Sequence, residues 1–124
     1  MNTLDTTARS RLLETWASEN AAFRAARSAG NRAEAWRHLE RAHIVSQPLA
    51  GRHVRTHLTM LRVAVRNLDI REFAGQLFRV VVAAPGSLTG RYPAGNTGGA
   101  RVSALKPMPV PEDLAAILGH VSTR

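Results

Sequence analysis

The chain has no cysteine among its 124 residues, which excludes disulfides, thiolate metal sites and a cysteine nucleophile. It also lacks any apolar run of about eighteen residues, so the sequence predicts no transmembrane helix and no membrane partner. The opening MNTLDTTARSRLLETW has neither the apolar stretch nor the small-residue cleavage site of a secretory leader, and the expected location is the cytoplasm. Aromatic residues make up only 5%, and lysine occurs once, at Lys106. The other sixteen of seventeen basic residues are arginine, against nine acidic residues, for a formal net charge of +8.

That charge admits an anionic partner such as nucleic acid. It does not favour one, because the arginines run from Arg9 to Arg124 without a dense tract and few aromatics interleave with them. Arg55, Arg62 and Arg66 form one helical stripe that can contact phosphate, although an ordinary solvated face explains it more simply.

What is present describes a globular chain, with 44% hydrophobic and 21% charged residues. The expected fold is all-α, a single domain over 1–124 made of a four-helix bundle (5–84), an extended arm (85–111) and a short docking helix (112–119). Asp5 or Thr6 caps a first helix that carries Leu12, Leu13, Trp16 and Phe23 and stops at Ser28-Ala29-Gly30-Asn31. A second runs from about Arg32 to Ser46, and Pro48 and Gly51 then punctuate the chain. A third, roughly Gly51 to Asn67, presents Val54, Leu58, Leu61, Val65 and Leu68 as one apolar stripe, expected to be its buried side. Asp69 with Glu72 makes a capping-box-like start for a fourth. There Phe73, Leu77, Val80, Val81 and Ala84 are expected inside, and Pro85 is expected to end the helix. Between Pro85 and Pro111 ten of twenty-seven residues are Gly or Pro, which excludes a regular element. Glu112 to Leu118 then supplies Leu114, Ile117 and Leu118 for docking.

Three of the five histidines fall in one region. On the second helix Glu40 and His43 stand three residues apart on one side with Trp36, Leu39 and Gln47, the Glu-x-x-His pairing used by carboxylate-bridged metal bundles. On the third, His53 and His57 lie one turn apart, a spacing that chelates one ion from a single face, and Met60 continues their stripe. The fourth helix carries a matching polar stripe of Glu72, Gln76 and Arg79. If these faces meet, His43, His53 and His57 become ligands and Glu40 and Glu72 become ligands or their supports, with Gln47, Gln76 and Arg79 orienting them. That set suits zinc, iron, manganese or copper(II), and Met60 leaves room for copper(I). The same residues also fit a hydrogen-bonded core histidine and a solvated surface stripe, so both readings stand. His38 and His120 are not recruited. Gly95 to Gly99 lacks the Lys-Ser/Thr ending of a phosphate loop and reads as a turn that lets the arm pack closely.

The runs WRHLERAHIVSQ, HVRTH, REFAGQLFR and YPAGNTGGA resemble a small bacterial family known as domain of unknown function 3703, from about Ala26 to Leu118. The resemblance rests on His43, Gln47, His53, His57, Glu72, Gln76, Arg79 and the Gly95–Gly99 turn. It implies a small all-helical bacterial protein and carries no chemistry with it. The sequence therefore points first to a small cytoplasmic metal-binding helical protein. The alternative is an interaction module using arginine-rich helix faces without metal. An enzyme is left open, because an open metal position serves a catalyst as readily as a carrier. A four-helix unit of this size also leaves room for a homodimer.

Overall fold

The computed structural model describes residues 5–119. Five helices follow one another: α1 (Thr6–Ser28), α2 (Arg32–Ser46), α3 (Ala50–Arg66), α4 (Ile70–Thr89) and α5 (Glu112–Leu118). There is no strand among the described residues. Three of the helix starts have side-chain caps. Asp5, Asn31 and Asp69 accept hydrogen bonds from the N–H groups of Thr7, Glu34 and Glu72, at 3.2, 3.1 and 3.0 Å. Each satisfies a donor that the helix itself leaves orphaned, a contribution of about 1 kcal/mol. Gly30, at φ 76°, takes the left-handed turn that ends α1.

The helices pair as two hairpins, α1 with α2 and α3 with α4, joined along α2 and α3. Two apolar clusters hold the first hairpin to its neighbours. Leu12, Ile44, Val45, Leu49 and Leu114 form one, so α5 docks through Leu114 as expected. Phe23, Ala35, Leu39 and Met60 form the other, which anchors α3 through Met60. Arg41 ties the periphery together by reaching both Glu19 and Asp113.

The second hairpin is turned the other way from the expected one. On α3 the buried residues are His53, Thr56, His57, Met60 and Ala64, while Val54, Leu58 and Leu61 are only partly covered and Val65 and Leu68 are exposed. On α4 the buried residues are Glu72, Gln76, Arg79 and Ala83, and the expected core residues Phe73, Leu77 and Val81 face out. Val80 and Ala84 are intermediate. Both helices have the expected polar and apolar stripes; hydrophobicity alone picks the wrong side, because the inward polar groups satisfy one another.

Pro85 does not end α4, which continues to Thr89 and stops at Gly90 with φ 70°. Proline removes the hydrogen bond to the Val81 carbonyl. Both residues lie on the exposed side, where water replaces that bond. The irregular arm therefore begins at Gly90 rather than at Pro85 and runs back over α2 and α4 to α5. No helix among the described residues is long and apolar enough to cross a membrane.

Candidate metal centre

The last turn of α2 carries His43 inward, and the first two turns of α3 carry His53 and His57. Their Nε2 atoms form a nearly equilateral triangle, 3.0 Å from His43 to His53, 3.1 Å from His43 to His57 and 3.2 Å from His53 to His57. The residues are 2%, 5% and 2% exposed, so water does not share these nitrogens freely. The three rings can hold a metal ion, their ligand atoms all lying within 4.8 Å of one another.

The opposite nitrogen of each ring is held by an acceptor. His43 Nδ1 lies 2.7 Å from the Asn96 carbonyl, which can only accept, so that nitrogen carries the proton. His57 Nδ1 lies 2.6 Å from Gln76 Oε1. The amide is oriented this way because its Nε2 donates to Glu72 Oε1 at 2.7 Å and to the Gly98 carbonyl at 2.8 Å. His53 Nδ1 lies 2.8 Å from Ser87 Oγ, whose own hydroxyl is committed to the Gln47 carbonyl at 2.6 Å. All three neutral rings are thus pinned with Nδ1 protonated and a bare Nε2 lone pair. Three lone pairs then converge on one point, which is repulsive unless a cation occupies it.

Protons are a poor substitute. Burial, with the neighbouring His53, pushes His57 down to about 3, and burial pushes His53 down to about 4. His43 lies well below its ordinary value for the same reason, reinforced by His57 and His53. The rings therefore stay neutral at physiological pH, the form in which imidazole ligates.

Around the triad the expected supporting residues are present, with clear roles. Gln76 bridges His57 to Glu72, and the Glu72 carboxylate also accepts the Ala100 N–H at 2.9 Å. Arg79, lowered by burial, donates to the Gly75 and Val102 carbonyls at 3.2 and 2.7 Å and so ties α4 to the arm. Gln47 donates to the Pro93 carbonyl at 2.9 Å. The Gly95–Gly99 turn packs directly on the site. A Cβ on Gly98, whose φ is 86°, would stand 2.7 Å from the His43 ring.

Not every expected residue reaches the triad. Glu72 is separated from it by Gln76, and neither Glu72 nor Glu40 belongs to the converging group. Burial raises the Glu40 carboxyl above its ordinary value, with Trp36 partly offsetting the shift. Met60 accepts from Gln76 Nε2 at 3.5 Å and packs in the core. His38 pairs with Glu19 and Glu34, and His120 lies outside the described residues. Arg55, Arg62 and Arg66 are on the far side of α3, where with Arg24 and Arg27 of α1 they line a cleft of about 640 Å³. Sequence reasoning missed Ser87 and Asn96. Ser87 lies beyond Pro85, where a helix stop is expected, and Asn96, inside the Gly95–Gly99 turn, acts on His43 through its backbone carbonyl, which no side-chain pattern signals. The triad itself borders a small cavity of about 150 Å³, walled by Phe78, Val82, Tyr92 and Arg79.

No curated protein and no solved structure matches the chain. A family model described as Protein of unknown function (DUF3703) matches residues 10–118, over the whole of the histidine site, and the chain belongs to that family.

Proposed function

We propose that the protein is a small cytoplasmic metal-binding protein that holds one transition-metal ion on His43, His53 and His57. One observation carries this reading: three buried Nε2 lone pairs aimed at one another, each fixed by an acceptor on the far side of its ring. The spacing fits an ion. A circle through nitrogens 3.0–3.2 Å apart has a radius of about 1.8 Å, slightly less than a zinc–imidazole bond of about 2.0–2.1 Å. One ion can therefore bind all three from one side of their plane and keep another face free for a further ligand. A set of three imidazoles without a carboxylate suits zinc, copper(II) or iron better than manganese. Asn96, Ser87 and Gln76 would raise the basicity of the ligands and hold the rings in place, with Glu72 supporting Gln76. A bound ion would supply Lewis acidity at that free face, next to the small cavity.

Elemental mass spectrometry on tag-free protein, purified without chelators and re-equilibrated with single metals, tests this. The expected result is one ion per triad, lost in the His53→Ala/His57→Ala double variant while the helical spectrum persists. Absence of bound zinc, copper and iron in the wild type would overturn the reading.

A second reading rests on the cleft where Arg24, Arg27, Arg55, Arg62 and Arg66 gather without an acidic residue in its lining. It would take an anionic polymer, and its binding would fall steeply with added salt. A salt-independent interaction would exclude it.

A further inference from the structure

Among the described residues more large hydrophobic side chains are exposed than are fully buried. Eight lie in the core: Leu12, Phe23, Leu39, Ile44, Val45, Leu49, Met60 and Leu114. Ten lie in solvent, and six of these belong to α4 after its first residue. α4 itself contributes only Ala83 to the apolar core. Its outer side carries Ile70, Phe73, Leu77, Val81 and Leu88, spaced by three, four, four and seven residues, which is one continuous seam. Leu77 is 48% exposed, Val81 74% and Leu88 76%. Val65 and Leu68, at the end of α3 and in the turn before α4, extend the seam at one end.

From this we infer that α4 is the interface of a homodimer, in which the seam of one chain packs on the same seam of a second copy. Three features select a second copy as the occupant. The seam on α4 has no charged residue, so two chains of net charge +8 can meet along it without burying like charges; the arginine cleft adjoins only its Val65 end. A seam of one helix is self-complementary under a two-fold axis, the commonest closed symmetry. The extent fits a small interface. Twenty residues at about 1.5 Å rise and about 10–12 Å width project a strip on the order of 300–400 Å². Val65 and Leu68 lengthen the strip, which stays below the roughly 800 Å² per partner of a standard interface and has the size of a small, weaker one. A membrane-surface helix would instead need a charged opposite face. The opposite face of α4 is buried on the histidines, and only Arg71 flanks its outer side among exposed charges. The pairing also explains why α4 can turn its polar stripe inward: the apolar stripe has its own core to enter, between chains.

Sedimentation equilibrium on the wild type should give twice the 13.5 kDa chain mass. Leu77→Glu should sediment as a single chain while keeping its helical spectrum and its metal content. Because the chain has no cysteine, single Leu77→Cys, Val81→Cys and Leu88→Cys variants provide a test that leaves the seam apolar. Oxidation should link at least one of them as a dimer, and Arg62→Cys should remain a single chain. Wild type at single-chain mass overturns the proposal, with or without binding to anionic vesicles; so does failure of every seam cysteine to cross-link. Neither result bears on the metal, which is read separately by elemental analysis.

Discussion

At the scale of residues, the tautomers are the decisive feature. A buried histidine with one ring nitrogen bonded to a carbonyl is ordinary. Three whose remaining lone pairs meet 3.0–3.2 Å apart are not, because nothing on the protein side can supply the missing donor. Gln76→Leu removes the acceptor from His57 and should weaken metal binding by about 10–100-fold, read by competition with a chromogenic chelator. Gly98→Ala puts a methyl group against the His43 ring at a positive φ and should cost about 1–3 kcal/mol of stability in urea unfolding. For the metal-free protein the sign of the pH dependence follows from the histidines. Unfolded imidazoles take up a proton near 6.5, whereas folded His53 does so only at about 4 and folded His57 at about 3. Below 6.5 the unfolded state binds more protons, so stability is full above that pH and falls as pH drops towards 4 and 3. Unfolding free energies from urea titrations should be level from about pH 7.5 to about pH 6.5 and then decline by several kcal/mol towards about pH 4.5; a flat profile would contradict the neutral, buried triad.

At the scale of elements, what mattered was the side each helix turns inward. Helix existence and most starts were legible, because Asp5 and Asp69 announce their caps and the Gly30-Asn31 break separates the first two helices. The buried faces of α3 and α4 were not. Periodicity identifies two opposite stripes, and the rule that the apolar one goes inside fails when the polar one is saturated with internal partners such as Gln76 and Glu72. Pro85 differs from expectation for a related reason: a proline on the wet face of a helix costs less than one facing a core. α5 behaved as its three apolar residues suggested. Leu114→Ala should leave a cavity among Leu12, Ile44, Val45 and Leu49 and lower stability by about 2–5 kcal/mol, measured as a shift in thermal midpoint.

At the scale of the whole molecule, the histidine site joins both hairpins and the arm. His43 belongs to the first hairpin, His53 and His57 to the second, and their acceptors to α4 and the arm. An ion there would staple three parts of the chain. Saturating metal, at about a thousand times its dissociation constant, should therefore stabilise the fold by about 4 kcal/mol and raise the thermal midpoint by on the order of 10–20 °C. A chelator should reverse the shift. An unchanged midpoint would mean that the ion does not bind the folded chain in preference to the unfolded one.

The sequence by itself determined the all-helical class, the breaks between the first four helices and the identity of the three histidines, since caps, glycines and helical spacing are local in origin. It also singled out Gln76 and Arg79 as orienting groups for them, and the family resemblance set the glycine turn beside them. Only the tertiary structure decided that Glu72 reaches the triad through Gln76, that Glu40 stays apart with Trp36, and that Ser87 and a backbone carbonyl complete the support. It alone decided which stripe of α4 faces inward. Those outcomes depend on which polar groups can satisfy one another across elements distant in the chain, and the spacing along any one helix does not contain that information.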